Sequence, residues 1–206
     1  MSNARPDGIY FTSDWHVGHA NVVGYDQRPF DDLSHMHRVL INNYNATVKP
    51  KDTCFFLGDM GLGKGDTLSS VIGELQGRKI LILGNHDKGA TAMRRLGFDI
   101  VLNMAAIEIA GQIVTMTHCP LRGIWREDTA HMSGAAAGDN WHGEHKNQRF
   151  SIDDFGQFHL HGHTHKAPEE RTLDRQWDVG VRANSYRPVN ISALESWIST
   201  YHRKGK

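Results

Sequence analysis

The sequence predicts a layered α/β fold in which parallel and antiparallel strand pairs both occur. Short apolar runs of β-prone residues alternate with amphipathic helical stretches in the first half of the chain. The second half is richer in strands, which favours mixed pairing. Nearly every predicted strand is followed by a short polar motif. A chain of 206 residues has the size of one domain with a sizeable core, so we expect residues 1–206 to form a single domain.

The first half of the chain is predicted to alternate strands with helices. Ile9-Tyr10-Phe11-Thr12-Ser13 is typical of a buried strand. Asp31 or Asp32 can cap the helix that follows, whose apolar residues recur at helical spacing up to about Val48. Gly77 comes just after the next helix, where a glycine often ends one. The predicted elements are strands over residues 9–13, 53–57 and 79–83 and helices over residues 31–48 and 66–75.

The second half begins with one more helix and then becomes rich in strands. Ala110-Gly111 separates two β-prone runs and predicts a hairpin between them. Near the end of the chain, Leu194, Trp197 and Ile198 lie on one face of a closing helix. The predicted elements are helices over residues 89–96 and 192–202 and strands over residues 98–102, 105–109, 112–117 and 157–161.

Residues 121–154 interrupt this rhythm with a long polar segment. Its centre, Ser133-Gly134-Ala135-Ala136-Ala137-Gly138, is flexible in composition, and Trp125 and Trp141 flank that centre. A long irregular segment inside a compact domain is usually either a functional lid or a poorly ordered stretch. This segment lies between two of the polar motifs, so we expect a lid insertion at about residues 121–154.

Charge and hydropathy limit the partners that we expect. The formal net charge is zero, so no extended surface for nucleic acid is expected. No membrane contact is expected, since no apolar run approaches the length of a span and residues 1–8 lack the apolar core of a secretory signal. Cys54 and Cys119 are too few for a disulfide framework and lie in apolar runs typical of buried thiols. We therefore expect a reducing, cytoplasmic setting, and the oligomeric state stays open.

The motifs after the first two strands carry ligands suited to divalent cations. Asp14 and His16 are two residues apart, so both side chains can reach one ion at the end of an extended strand. Asp59 follows Gly58, which permits a sharp turn. The two oxygens of its carboxylate can bridge two cations roughly 3.5–4 Å apart. Standing alone, either motif would more often be a turn or a helix cap.

The motif after the third strand offers three functions in consecutive residues. Asn85 can bind a metal through its carbonyl oxygen without adding charge. His86 can carry a proton at neutral pH, and Asp87 beside it can orient the ring. A lone histidine such as His118 would more often be structural. Its pairing with Gly162-His163-Thr164-His165, which places two imidazoles at i and i+2, favours a metal site instead.

In this order, the motifs resemble the five signature blocks of the calcineurin-like metallophosphoesterases. The resemblance covers roughly residues 8–190. It implies an α/β fold, a four-layer αββα sandwich of two mixed sheets flanked by helices, with the metal site at the strand ends. Other stretches resemble a small bacterial and phage branch of that superfamily, whose members are mostly of unassigned substrate: Phe11-Thr12-Ser13-Asp14, His19-Ala20-Asn21, Arg28-Pro29-Phe30 and Tyr186-Arg187-Pro188-Val189.

The resemblance also implies which residues hold two divalent metal ions and which act on the substrate. Mixed nitrogen and oxygen ligation is compatible with Mn, Fe or Zn, and the resemblance favours Mn²⁺. The implied ligands are Asp14, His16 and His165 for the first ion, Asn85, His118 and His163 for the second, and Asp59 as the bridge, with His86 and Asp87 as the catalytic residues.

The leading hypothesis is hydrolysis of a phosphomonoester or phosphodiester of a small molecule or nucleotide. Two metal ions would lower the pKa of a shared water and supply hydroxide that attacks phosphorus. Protonated His86 would stabilise the developing charge and donate a proton to the leaving group. Arg28, Arg122 and Arg126 are candidates for binding the other substrate oxygens, although each is equally well explained as a solvated surface arginine.

Two other functions are compatible with the same motifs. A catalytically inactive module of this fold would bind partner proteins, but such modules usually lose ligands or the catalytic histidine. This chain keeps His86 and every expected ligand. A protein phosphatase would share the chemistry, but the chain is short for that role and has no obvious docking surface. We therefore rank a small-molecule or nucleotide esterase first.

Overall fold

Two mixed β-sheets of five strands each form the centre of the molecule. The computed structural model describes residues 8–62, 65–122 and 148–204. In the first sheet, β1 to β4 run parallel, and β10 pairs antiparallel with β1 at one edge. The strands of this sheet, in spatial order, are β10 (Val189–Asn190), β1 (Ile9–Thr12), β2 (Thr53–Phe56), β3 (Arg78–Ile82) and β4 (Ile100–Leu102).

The second sheet combines the predicted hairpin with a parallel centre. The hairpin strands β5 and β6 pair antiparallel, β6, β7 and β9 run parallel, and β8 pairs antiparallel with β9. The strands, in spatial order, are β5 (Ala105–Ile109), β6 (Gln112–Met116), β7 (Phe158–His161), β9 (Gln176–Asp178) and β8 (Thr172–Leu173). The predicted α/β sandwich with mixed pairing is confirmed.

Alternation along the strands of the first sheet separates two hydrophobic clusters. Tyr10 and Cys54, which are register partners in β1 and β2, face the cluster that contains the helices of the first half of the chain. Phe11 and Phe55, the next pair in register, face the second sheet, and their ring centroids stack 5.6 Å apart. Because successive side chains of a strand point to opposite faces, a continuous apolar run such as that of β2 is what a sheet buried on both faces requires.

Five helices complete the described fold, and four of them precede the second sheet in the chain. The longest of these four, α2, begins after Asp32, whose carboxylate accepts the His35 amide proton at 2.7 Å. Met36, Leu40 and Tyr44, which are three of the apolar residues at helical spacing, are its buried residues. The helices are α1 (Asn21–Tyr25), α2 (Leu33–Thr47), α3 (Gly65–Glu74), α4 (Ala90–Arg95) and α5 (Ile191–Lys204).

The last helix, α5, closes the cluster between the two sheets. Leu194 and Ile198 are fully buried there, as the sequence predicted. Trp197 packs its ring edge-on against Phe158 of β7 and Trp177 of β9, with ring centroids 5.2 and 5.4 Å apart. Such aromatic pairs add about 0.5–1.5 kcal/mol each beyond the area that they bury. The helix therefore fastens the end of the chain onto the second sheet.

Besides two 3-10 helices (Gln148–Phe150 and Pro168–Glu170), the structure adds one short α-helix and three short strands that the sequence analysis did not predict: α1, β8, β9 and β10. Strands β8 and β10 have two residues each, too few to show a periodic pattern. The predicted lid at residues 121–154 lies mostly outside the described residues and stays a prediction. At its described end, Phe150 is buried and its carbonyl accepts the Cys119 amide proton at 2.8 Å. Among the described residues, no helix has the length and apolar character that crossing a membrane requires.

Candidate metal centre

The polar motifs meet because the strands that precede them end at one edge of the sandwich. The parallel strands β1, β2 and β3 deliver their motifs at their carboxyl ends. In the second sheet, β6 and β7 do the same. A parallel bridge from Ser13 to Gly180 connects the two sheets at this edge, and the Val181 amide donates to the Ser13 carbonyl at 3.0 Å. Side chains far apart in sequence therefore share one site.

The first group of donor atoms comes from Asp14, His16 and His165. The Nε2 atoms of the two histidines lie 2.9 Å apart. The Oδ1 atom of Asp14 lies 3.5 Å from His165 Nε2 and 3.9 Å from His16 Nε2. Two imidazole nitrogens at hydrogen-bond distance need a proton or a cation between their lone pairs. This group therefore has the donor types and the spacing that a divalent cation uses.

The second group of donor atoms surrounds His118, which is fully buried. Its Nε2 atom lies 2.9 Å from Asn85 Oδ1 and 3.3 Å from Asp59 Oδ2. The His163 ring stands edge-on to it with centroids 5.1 Å apart. The Nδ1 atom of His118 lies 2.7 Å from the Leu57 carbonyl. In the neutral ring, that contact places the proton on Nδ1 and leaves the lone pair of Nε2 directed at the other donors.

Asp59 lies between the two groups. Its Oδ2 atom is 3.3 Å from His118 Nε2 and 3.9 Å from His16 Nε2. Asp14, Asp59 and His118 also offer ligand atoms that all lie within 4.8 Å of one another. The structure thus brings together all seven side chains that the resemblance implies as ligands. Bridging of two ions by Asp59 stays a prediction.

The electrostatics of the centre favour positive charge. Burial alone would raise the pKa of Asp14, but the hydrogen bond and charge of His165 hold it well below its usual range. Burial likewise opposes ionisation of Asp59, and the charge of His118 nevertheless lowers its pKa well below that range. Against the effect of burial, the pKa of His118 rises to about 9 beside Asp59, and that of His165 to about 10 beside Asp14. Two buried carboxylates therefore demand cationic partners.

The other two imidazoles of the centre are held neutral. Burial, followed by the charge of His165, lowers the pKa of His16 to about 3. Burial, followed by the charge of His118, lowers the pKa of His163 to about 3. Metal ligation requires the unprotonated ring. The Nδ1 atom of His16 is buried and has no hydrogen-bond partner among the described residues.

The backbone is strained at most of the donor positions. Left-handed φ angles are uncommon for residues other than glycine, cost about 1–3 kcal/mol each and cluster at functional sites. Five of the seven donors have them: Asp14 at 59°, His16 at 52°, Asp59 at 53°, His163 at 66° and His165 at 47°. Such a concentration of strain is expected where the fold aims side chains at a common point.

Asp87 does not contact the ring of His86, which corrects the role expected for it. Its Oδ2 atom accepts amide protons from Asp59 at 2.9 Å and Gly84 at 2.8 Å, and its Oδ1 atom accepts one from Met60 at 2.9 Å. Both oxygens are thus committed to the backbone. Asp87 therefore fixes the loops after β2 and β3 rather than acting on the substrate.

His86 lies at the mouth of the centre. Its side chain is 37% exposed, and its Nε2 atom lies 3.9 Å from Asp59 Oδ2. Its backbone amide donates to Asp59 Oδ1 at 2.9 Å, which holds the residue beside that carboxylate. The rings of His86 and His19 flank that of His16, with centroids 5.6 and 5.7 Å from it. This position suits a residue that meets a bound substrate.

The three arginines expected to bind substrate occupy different environments. Arg28 is buried, which corrects the prediction for it: its guanidinium pairs with Asp26 at 2.8 Å and donates to the Asp14 carbonyl at 3.0 Å. Arg122 is 40% exposed and pairs with Asp153 at 2.7 Å. Arg126 lies outside the described residues. Arg28 therefore supports a ligand loop rather than the substrate, and the roles of the other two stay predictions.

Asp26, Asp178 and Arg182 support the centre and were missed by the sequence analysis. Asp26 accepts from His165 Nδ1 at 2.9 Å. Asp178 accepts the Thr164 hydroxyl at 2.6 Å, and Arg182 donates to the His165 carbonyl at 2.6 Å. Asp178 follows Asp174-Arg175-Gln176-Trp177 rather than an apolar run, and none of the three residues lies in one of the recognised motifs.

Comparisons with known proteins give relatives that match over most of both chains. The chain is 29% identical over 202 residues to an uncharacterized protein of Methanocaldococcus jannaschii, covering 96% of this chain and 93% of that protein. It is 29% identical over 187 residues to the gene 66 protein of Mycobacterium phage D29, covering 85% and 88%. The gene 66 protein of Mycobacterium phage L5 is 28% identical over 183 residues, covering 84% and 86%. The sequence matches no model of a protein family.

A solved structure shares the fold. The crystal structure of a protein of unknown function from Aquifex aeolicus superposes with a TM-score of 0.64, covering 93% of this chain and 99% of that one. The two sequences are 22% identical, and at this level the likeness concerns the fold alone.

Proposed function

We propose that this protein is a phosphoester hydrolase that uses two divalent metal ions, as the resemblance of its motifs to calcineurin-like metallophosphoesterases implies. The observation that carries the proposal is the surroundings of one carboxylate. Asp59 Oδ2 lies within 3.9 Å of the Nε2 atoms of His16, His86 and His118, which come from three separate motifs. A buried carboxylate ringed by imidazoles is a suitable bridge between cations and is otherwise costly to bury.

The donor set fits two ions that prefer mixed nitrogen and oxygen ligands. When bound, such ions polarise the phosphoryl group and lower the pKa of water. Mn²⁺ is the first candidate, with Fe and Zn also compatible. One ion would be held by Asp14, His16 and His165 and the other by Asn85, His118 and His163, with Asp59 shared.

His86 is proposed to act on the substrate directly. Its ring is half-exposed at the mouth of the centre and next to the shared carboxylate. A protonated imidazole at this place stabilises negative charge on the phosphoryl oxygens and gives its proton to the departing oxygen. General acid catalysis of this kind contributes typically about 10²–10⁴-fold.

A small phosphoester or nucleotide is the proposed substrate class. The formal net charge of zero gives no general attraction to a long polyanion. His19, half-buried beside His16, is a further imidazole that a small substrate can reach. Monoesters and diesters differ in the number of charged oxygens that they offer, and the centre is compatible with either.

The proposal is tested by loading and turnover on the same preparation. The protein is depleted of metals, reloaded with Mn²⁺, analysed for ions per chain by plasma mass spectrometry, and assayed with p-nitrophenyl phosphate and bis-p-nitrophenyl phosphate. We expect two ions per chain and ion-dependent hydrolysis of at least one ester. A phosphopeptide is assayed as a third substrate. If the protein binds two ions but hydrolyses none of the three compounds, the result would favour the inactive binding module.

A reducing, cytoplasmic setting is proposed with the function. Cys54 and Cys119 are both buried thiols, and burial raises the pKa of Cys54. Buried thiols of raised pKa react slowly with oxidants. The folded protein and the unfolded protein are alkylated separately and analysed by mass spectrometry. Both cysteines should be labelled in the unfolded sample only.

A further inference from the structure

Asp26 occupies a position behind one of the histidines of the metal centre. It follows α1 directly, and its Oδ1 atom lies 2.9 Å from the Nδ1 atom of His165. Its Oδ2 atom pairs with the guanidinium of Arg28 at 2.8 Å. The side chains of Asp26, Arg28 and His165 are 10%, 0% and 24% exposed, so both pairs are screened less than a surface ion pair would be.

We propose that Asp26 is a positioning residue for one of the two metal positions and not for the other. It holds the ring of His165 in the orientation and tautomer that a cation requires. The inference rests on the proposed metal centre and names a residue that none of the signature motifs contains.

The tautomer follows from the two contacts of the His165 ring. In the neutral ring that a metal ion requires, the Nδ1 atom donates its proton to Asp26, which leaves the lone pair on Nε2. That Nε2 atom faces Asp14 Oδ1 at 3.5 Å and His16 Nε2 at 2.9 Å, the other donors of the first group. A carboxylate that accepts from the far nitrogen of a ligating histidine both orients the ring and raises its basicity.

Asp26 is itself held from two sides. Arg28 donates to its Oδ2 atom from Nε at 3.0 Å and from a terminal nitrogen at 2.8 Å. Arg182 donates to the Asp26 carbonyl at 3.0 Å and to the His165 carbonyl at 2.6 Å. The segment after α1 and the loop after β7 are thus tied together, although Asp26 and His165 are 139 positions apart in the chain.

The second group of donors does not depend on this arrangement. Its buried histidine, His118, has its Nδ1 atom 2.7 Å from the backbone carbonyl of Leu57. A backbone acceptor stays in place when a side chain elsewhere is replaced. The far nitrogen of His165 therefore meets a carboxylate and that of His118 a backbone carbonyl, so removal of Asp26 should affect the first position and not the second.

The test is a titration of the metal-depleted protein with Mn²⁺, followed by calorimetry and by counting bound ions. For Asp26→Ala, we expect one of the two binding steps to weaken about 10–100-fold, and the other to stay within about twofold. Asp26→Asn can still offer an oxygen to Nδ1 but has no charge, so its effect should be smaller and confined to the same step. Neither readout involves catalysis.

The control is Asp153→Ala, which removes another carboxylate paired with an arginine. Asp153 accepts from Arg122 Nε at 2.7 Å at an exposed site, and its loss should leave both steps unchanged. If one Mn²⁺-binding step of Asp26→Ala keeps its wild-type affinity, that result also shows that the variant is folded. If that variant fails to fold because Arg28 loses its partner, the volume-matched Asp26→Asn decides.

The outcomes separate this inference from the proposed function. Failure of the wild-type protein to bind two ions would overturn the metal centre itself. A second outcome is that the wild type binds two ions and that, in folded Asp26 variants, both binding steps are unchanged or both are weakened equally. This outcome would overturn the role of Asp26 and leave the metal centre in place.

Discussion

Asp59 shows at the level of one residue how the centre is organised. Its carboxylate lies among three imidazoles, its Oδ1 atom accepts the His86 amide proton, and its own amide donates to Asp87. Its φ of 53° is one that a residue other than glycine adopts rarely. Each of these contacts constrains the same side chain, so a change at this residue should affect every donor around it.

Replacement of Asp59 by Asn should weaken both metal positions together. The amide keeps the size of the side chain but removes the charge and one of the two acceptor oxygens that a bridge requires. We expect at least about a tenfold loss of affinity at both steps of a Mn²⁺ titration. Asp31→Asn, at a side chain 91% exposed, is the control. Loss of a single ion would argue against a shared ligand.

Replacement of His86 by Ala should leave ion binding intact and reduce turnover by about 10²–10⁴-fold, because the proposed role of the ring is to donate a proton and not to bind a metal ion. The loss should be larger for phenyl phosphate than for p-nitrophenyl phosphate, whose leaving group needs less protonation. His35→Ala, at a surface histidine of α2, is the matched control. Equal losses for the two esters would contradict the acid role.

At the level of elements, the loops after the strands pack closely enough to need glycine. A Cβ atom at Gly84 would collide with the carboxylate of Asp59, and one at Gly162 with the Ser13 hydroxyl and the Asp14 carboxylate. At Gly58, a Cβ atom would collide with the His118 ring. The glycines of the motifs therefore let loops from both sheets approach each other, which brings the donors within reach of one another.

Replacement of Gly162 by Ala should displace Asp14 and weaken ion binding. Ser13 cannot move aside easily, because its hydroxyl donates to the Leu57 carbonyl at 2.8 Å. We expect about a 10–100-fold loss of affinity in at least one step of a Mn²⁺ titration, as for the loss of a group that supports a metal ligand.

Gly73→Ala, in α3, is the matched control for this change. A Cβ atom there meets nothing within 4 Å, and alanine stabilises a helix by about 0.5–1 kcal/mol relative to glycine. Its ion binding should equal that of the wild type. Unchanged ion binding in Gly162→Ala would show that the loops tolerate the collision.

At the level of the whole molecule, the centre joins two sheets that have separate neighbours. The first sheet is covered by helices on one face and by the second sheet on the other, and the two sheets meet again through the Ser13 to Gly180 bridge. The buried carboxylates of Asp14 and Asp59 come from the first sheet, and they face His165 and His118 from the second sheet. Bound cations should therefore stabilise the sandwich as a unit.

Chelation should lower the melting temperature of the metal-loaded protein. At a free ion concentration of 100 times the dissociation constant, binding at one site contributes about 2.7 kcal/mol. For a chain of this size, that free energy corresponds to a shift of about 5–10 °C. Differential scanning calorimetry with and without EDTA measures the shift, and Asp59→Asn should show a smaller one. Identical melting temperatures would mean that the ions do not couple to folding.

Local spacing and residue type were enough to predict the fold class and the longer elements, and the resemblance of the ordered motifs to a known family implied the donors that meet in the centre. The stripe of α2 and the apolar runs of β1 to β3 are short-range patterns, because helix and strand periodicity is set by neighbouring residues. The glycines that precede Asp59 and Asn85 could be recognised for the same reason.

Only the tertiary structure decided what lies behind the donors. The pair of Asp26 with His165 joins residues 139 positions apart, and no local pattern encodes which acid reaches which ring. The buried guanidinium of Arg28 donates to Asp26 and to the Asp14 carbonyl, and backbone amides donate to the carboxylate of Asp87. A sequence states which groups can donate or accept, but their partners depend on how loops from two sheets pack.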